Sequence, residues 1–467
     1  AFRHALLRDA AYTMLTEDER RAMHTAAAHW MERVGEADPC AIGSHLERGG
    51  QPGEARPWLL RGARAALDNG DMEAAIALSQ RGLSLGAEGR ERGELLLVLA
   101  HASAWGTQTN LELAREALTL LPSGTSSWWF ALSLLVFGAS AVGQAQLAAP
   151  YLELAEAAPP PLHQPLGGHG QAFEVLAVGA VLLGRAELGW SIVEKFRQLV
   201  AAAPDYVSSA WLSVAECQLA TNTLRAGCWR LEEAVNAGRS AVASMRHAGA
   251  GSGEATALLH LSIALHEVGL YPEAEQTLIE SRRIAARVGN VLITEFARLV
   301  LALTSAPRTG MAACLEELAL LERSSDANMV HFCQAVRAQI ALRSGQFDQA
   351  AALAEIARRG PGLLHRLNAS LTLARAQLAQ GRAEAARETL DMLRAARGPQ
   401  LFPQLALDEL AARAKILGAL RDADGAAEAL AEARRFAQAT ASAIADPALR
   451  ESFARRVRLP ADPPRPG

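Results

Sequence analysis

Chemistry in a chain of 467 residues has to come from particular side chains at particular spacings, and the twelve histidines are the first to test. His24 and His29 are five apart and His260 and His266 six apart. Neither pair has the i, i+4 spacing that sets two metal ligands on one helical face. HEVGL at 266–270 lacks the second histidine of a zinc-protease helix, and HRLN at 365–368 has leucine where a kinase catalytic loop needs its aspartate. GAGSG at 249–253 carries its serine one place too late for a nucleophile elbow. Packing and surface roles are the expectation for all of these.

The cations exclude a further class. Of the 46 basic residues only Lys195 and Lys415 are lysines, and neither follows the glycine that a phosphate-cradling P-loop requires. The five cysteines, Cys40, Cys217, Cys228, Cys314 and Cys333, form no CxxC pair, so neither a disulfide framework nor a structural zinc site is expected and a reducing cytoplasm is the natural compartment. A net charge of −4 gives no pull toward nucleic acid. The longest apolar run, WWFALSLLVFGASAV at 128–142, is too short to span a bilayer and predicts a buried helix. No cofactor, metal, nucleic acid or membrane partner is therefore expected.

What remains is an architecture, and it repeats. NGDMEAAIALSQRGL (69–83), VGLYPEAEQTLIESR (268–282), SGQFDQAAALAEIAR (344–358), QGRAEAARETLDMLR (380–394) and LRDADGAAEALAEAR (420–434) can be laid over one another. The signature positions are Gly70 and Ala75; Gly269, Tyr271 and Ala274; Gly345, Phe347 and Ala350; Gly381 and Ala386; and Ala426, with Arg421 in the glycine's place in the last copy. Glycine suits the turn that ends one helix, and a small alanine lets the next helix pack closely on the first, so each copy predicts one helical hairpin. Gly345 to Gly381 is 36 residues and Gly381 to Arg421 is 40, which sets a unit near 38. LGRAELGWSIV (183–193) and RAGCWRLEEAV (225–235) fit the pattern poorly. Elsewhere apolar residues recur at three and four, and no strand is expected.

The Gly-x-Tyr/Phe-x-x-Ala pattern resembles the tetratricopeptide repeat, which implies an all-α fold: a right-handed α-α superhelix of antiparallel helix pairs. FRHALLRDAAYTML (2–15), ERRAMHTAAAHWME (19–32) and HLERGGQPGEARPWLLRGARAAL (45–67) resemble the region where the winged helix of a STAND-class signalling ATPase passes into such repeats. Bacterial proteins of that class are commonly fused to a serine/threonine kinase or adenylate cyclase. The resemblance implies that residues 1–50 end the winged-helix and linker region and that 51–458 are repeats, with the proline-rich stretch 157–170 as a loop between sub-arrays. Residues 459–467 are expected to be a disordered tail. It also makes His4 a candidate contact to the β-phosphate of ADP in the resting state, the alternative being a helix-capping or packing role. ATP or ADP would enter only through upstream domains absent here. The chain itself is expected to be non-catalytic, docking a protein partner or its own upstream ATPase and kinase domains, or enclosing a small-molecule inducer.

Three features remain. GAGSG is expected to be a second interrupting loop and a possible hinge. All eight tryptophans fall in the first half and most are expected in the core, although an aromatic-lined pocket between Trp128 and Trp229 would favour the inducer. Residues 1–270 hold 20 basic against 28 acidic side chains and residues 271–467 hold 26 against 22, a polarity that solvated outer faces explain.

Overall fold

In the computed structural model the described residues are 12–459, apart from 37, 69–70, 104–107, 142–144, 159–169, 226, 310, 324–326, 399–401 and 458. His4, Gly70 and most of the proline-rich stretch and of the tail lie outside them. The chain forms two compact units, residues 1–131 and 132–467. The first carries α1 (Glu17–Arg33), α2 (Pro39–Arg48), α3 (Pro52–Asp68), α4 (Met72–Ser84), α5 (Gly89–Ala102), α6 (Gln108–Leu120) and the start of α7 (Ser126–Ala141). Helix α1 opens on a capping box: the Thr16 side chain accepts from the Glu19 amide, and the Glu19 carboxylate accepts from the Thr16 amide at 2.8 Å.

The second unit continues with α8 (Ala145–Ala157), α9 (Gly170–Leu182), α10 (Ala186–Ala202) and α11 (Tyr206–Asn222). A short antiparallel pair follows, β1 (Leu224–Arg225) and β2 (Cys228–Trp229). Then come α12 (Leu231–His247), α13 (Gly251–Val268), α14 (Tyr271–Arg287), α15 (Val291–Thr309), α16 (Met311–Leu321), α17 (Ala327–Arg343), α18 (Phe347–Ala357), α19 (Leu363–Ala379), α20 (Ala383–Arg397), α21 (Pro403–Ala419), α22 (Ala423–Ala443) and α23 (Pro447–Arg456). Consecutive helices pair as antiparallel hairpins and stack, which is the all-α superhelix the repeat pattern predicts.

The repeat signature has one physical cause. Gly269, Gly345 and Gly381 all sit in the left-handed region, with φ of 94°, 74° and 77°. Each closes a Schellman turn: the Gly345 amide donates to Leu342 at 3.2 Å, and the next amide, Gln346, reaches back to Ala341 at 3.0 Å. That next residue caps the following helix, and four residues on stands the small side chain. Ala75, Ala274, Ala350 and Ala386 are fully buried and Ala426 nearly so. Alanine-rich contacts follow, as where Ala335, Ala338, Ala350, Ala354, Ala369 and Leu373 share one cluster. The intervening aromatics are less uniform, since Tyr271 is half-buried and Phe347 is exposed.

The same turn recurs where the sequence match is weak. Gly184 has φ of 84°, the Arg185 amide bonds to Ala180 at 2.9 Å, and Gly189 takes the alanine's place. A Cβ on Gly189 would lie 2.9 Å from the Ala177 carbonyl oxygen, so this hairpin is packed too tightly even for alanine. RAGCWRLEEAV is a genuine departure. Contrary to the expectation of no strand, Leu224–Arg225 and Cys228–Trp229 pair as a two-residue antiparallel ladder, with Gly227 at φ 74°, and Trp229 is lodged in the core before α12 begins. GAGSG is a loop only in its first residues. Gly249 (φ 66°) closes a Schellman turn and α13 starts at Gly251, where Gly253 packs against Met245.

Arg421 holds the glycine position of the last copy with φ of 64°, and its amide still donates to Gly418 at 3.1 Å. A left-handed conformation costs a side-chain-bearing residue about 1–2 kcal/mol. Arg421→Gly should therefore stabilise the chain by about 1 kcal/mol, read as a rise in urea midpoint; an unchanged or lower midpoint would count against strain at this turn.

The odd-numbered helices from α9 to α21 contact one another in succession and form the inner layer; the even-numbered ones pack outside them. This explains their burial. Outer α20 buries Ala386, Thr389, Leu390, Leu393 and Arg397, a single stripe, whereas inner α19 buries residues on nearly every face.

Candidate functional site

The last helices of the second unit return to its middle. The Phe402 amide donates to the Asn222 carbonyl at 2.7 Å, α22 packs on β2, and α23 packs on α13. The Glu232 carboxylate accepts from the Ala445 and Asp446 amides just before α23. Phe453 meets the buried Trp229 edge-on at 6.2 Å, and Trp229 is fixed by its indole N–H, which donates to the Thr221 carbonyl at 2.9 Å. A Cβ on Gly269 would come within 2.9 Å of the Ser452 carbonyl oxygen, so this turn serves the closure as well as the repeat. The array from α11 to α23 thereby closes on itself.

Closure gathers charged side chains from five elements. Arg456 of α23 pairs with Glu267 of α13, both largely buried. Arg375 of α19 donates to the Asp408 carbonyl oxygen and pairs with its carboxylate, each at 3.2 Å. Asp408 and Tyr271 lie within electrostatic reach of both Arg456 and Arg343, the last residue of α17. Tyr271 in turn meets His266 edge-on at 5.0 Å. Burial pushes the Glu267 carboxyl up, with Arg456 opposing. Arg456 itself is raised: burial works against its charge, and Glu267 and Asp408 more than compensate.

Arg343 differs from its neighbours. Its side chain is exposed, and among the described residues no hydrogen bond or ion pair holds it. Yet desolvation by the surrounding protein, and then Arg375, push its guanidinium down, with Asp408 and Tyr271 pulling the other way. Asp408 thus links the two ion pairs of the seam to Arg343, and no nucleophile with an adjacent base is seen among these residues.

The other candidates disperse. The signature glycines and alanines are turn and packing residues spread along the array. His24 lies 2.9 Å from His45, His29 pairs with Glu54, and burial pushes His260 down to about 4. Among the described residues no three His, Cys, Asp or Glu side chains are grouped to hold a metal, and no helix is long and apolar enough to cross a membrane. Trp128, Trp129, Trp211 and Trp229 are core residues, Trp58 and Trp190 are half-buried, and Trp30 is exposed. These burials match the expectation that most of the tryptophans are core residues. Sequence reading missed the charged cluster because Glu267 and Arg456 are 189 positions apart.

No protein-family model matches the chain, and neither does any curated protein. Solved structures do. A Rap protein in complex with competence and sporulation factor aligns with a TM-score of 0.51 at 13% identity, covering 76% of this chain and 99% of that one. Yeast Tom70 aligns with a TM-score of 0.38 at 11% identity over 94% and 97%, and a tetratricopeptide repeat protein from Parabacteroides merdae with 0.35 at 12% over 61% and 97%. The chain is similar to helical-repeat proteins of the tetratricopeptide type in its fold, an all-α superhelix.

Proposed function

We propose that the chain is a non-catalytic docking and sensor module that holds a protein or peptide segment on the inner face of its closed array. The observation that carries this reading is the stacked array of helix pairs with a continuous inner layer from α9 to α21, closed by α23 packing on α13. The Rap protein of similar fold was solved in complex with competence and sporulation factor, which supports a ligand on such a scaffold. In its parent the module would be the C-terminal repeat region of a STAND-class ATPase linked to a serine/threonine kinase or cyclase and acting in the cytoplasm. Residues 1–50 would then end the winged helix, with His4 as its ADP contact. The repeats would relay partner binding to those domains.

The test places a photo-reactive amino acid at Arg375, on the inner layer, or at Glu428, exposed on outer α22, in cells of the source organism. Cross-linked partner is expected from position 375 and not from 428. Equal yield at both positions, or none at either, would overturn the docking reading.

A further inference from the structure

A groove opens to solvent where outer α18 ends, inner α19 begins and the last turns of outer α20 pass beside them, with a volume of about 280 Å³. Arg358 and Arg359 follow α18, α19 contributes Arg366 and Leu367, and α20 contributes Met392 and Leu393. Among the described residues no carboxylate lines it. Arg358 is held by Glu355 at 2.5 Å, whereas no hydrogen bond or ion pair among the described residues engages the guanidinium of exposed Arg359 or Arg366. Two positive charges are therefore uncompensated in one small volume. The surface beside them is apolar. Leu367 and Leu393 are buried, and Met392, a large apolar side chain on the same groove, is left 55% exposed.

Charge and size together select the occupant. A guanidinium presents a planar fork that a carboxylate fills with two parallel hydrogen bonds, and the flexible thioether of methionine adapts to apolar groups of varied shape. The volume falls below the about 300–1,000 Å³ of an ordinary small-molecule pocket, so the groove takes one or two side chains of a larger partner. Residues 271–467 as a whole carry 26 basic against 22 acidic side chains, so the surrounding field does not repel an acidic partner. We propose that this groove docks an acidic segment of a partner protein, in which an Asp or Glu carboxylate engages Arg359 and Arg366 and a neighbouring leucine or aromatic side chain covers Met392. Because its walls come from outer α18 and α20 as well as from α19, this is a second surface, independent of the inner-face docking tested at position 375.

A bead-displayed library of random, amidated nonapeptides is screened against the full chain, and the selected sequences are measured by fluorescence polarisation. They should place an Asp or Glu next to a leucine or an aromatic residue. The double variant Arg359→Gln, Arg366→Gln should weaken their binding about tenfold or more, the scale of one charge-assisted pair. It should keep the native thermal midpoint, because neither arginine loses a partner. Met392→Glu should weaken binding as well, by setting a carboxylate against the incoming one. Arg283→Gln, at an exposed arginine of α14, removes a positive charge elsewhere and should change nothing. Peptides that bind without an acidic residue, or that lose as much affinity through Arg283→Gln as through the groove variants, overturn the site. Displacement by inorganic phosphate as readily as by unlabelled acidic peptide would assign a bare anion site and overturn it too. Peptides that bind the double variant as tightly as the native chain overturn the groove and leave the inner-face reading standing, and a library without binders also overturns the groove.

Discussion

Above about pH 8 the Glu174→Gln variant should be more stable than the native chain by about 3 kcal/mol, and near pH 5 the two should be alike. Glu174 of α9 is buried, and its one hydrogen-bond donor is the Gln218 side-chain amide of α11. Burial lifts its carboxyl from 4.5 to about 7, with the Gln218 bond acting weakly in the other direction. The sign follows from linkage. A carboxyl whose folded value is raised contributes fully below its unfolded value, and the contribution is lost as pH rises through the folded one. The native chain should therefore lose stability between roughly pH 4.5 and 7, by about 1.4 kcal/mol for each unit of the shift. Glutamine keeps the shape and a hydrogen bond to Gln218 but cannot ionise. Urea midpoints measured across that range decide the matter: converging curves at low pH support the account, and parallel curves defeat it.

The second large effect is at the seam. Arg456→Met should cost about 3 kcal/mol, because it leaves Glu267, with 11% of its side chain exposed, without its cation and within reach of Asp408. Methionine preserves packing against Trp229, over whose ring the Arg456 guanidinium lies at 5.9 Å. Adding Glu267→Gln should restore most of the loss, since removing both charges relieves desolvation that removing one aggravates. Hydrogen exchange of the α23 amides reports the change where it occurs. If the single and double variants exchange alike, the ion pair does not hold the closure.

Both predictions depend on contacts that the linear sequence conceals, and the contrast with what it displays is physical. The hairpins were legible because everything that makes them is local. A Schellman turn joins residues within six positions, the cap follows directly, and the alanine stands four residues later, so Gly345 and Ala350 read as a pair in any order of search. The Thr16–Glu19 box at the start of α1 is equally local, spanning three positions. Where a tertiary contact replaced the usual residue, the pattern faded without the structure changing: Gly189 lacks the alanine methyl because the Ala177 carbonyl occupies its space.

The sequence alone thus determined the class of fold, the hairpin unit and the absence of recognisable catalytic motifs. Tertiary structure alone decided three things. Trp229 is delivered to the core through a two-residue ladder, because α11 ends where the chain must turn before α12. The array closes, because small rotations between successive hairpins accumulate until α23 reaches α13, and no local signal encodes their sum. The Arg456–Glu267 pair exists only as a consequence of that closure, since its members are single residues on distant elements, each indistinguishable in sequence from the solvated charges of an ordinary helix face.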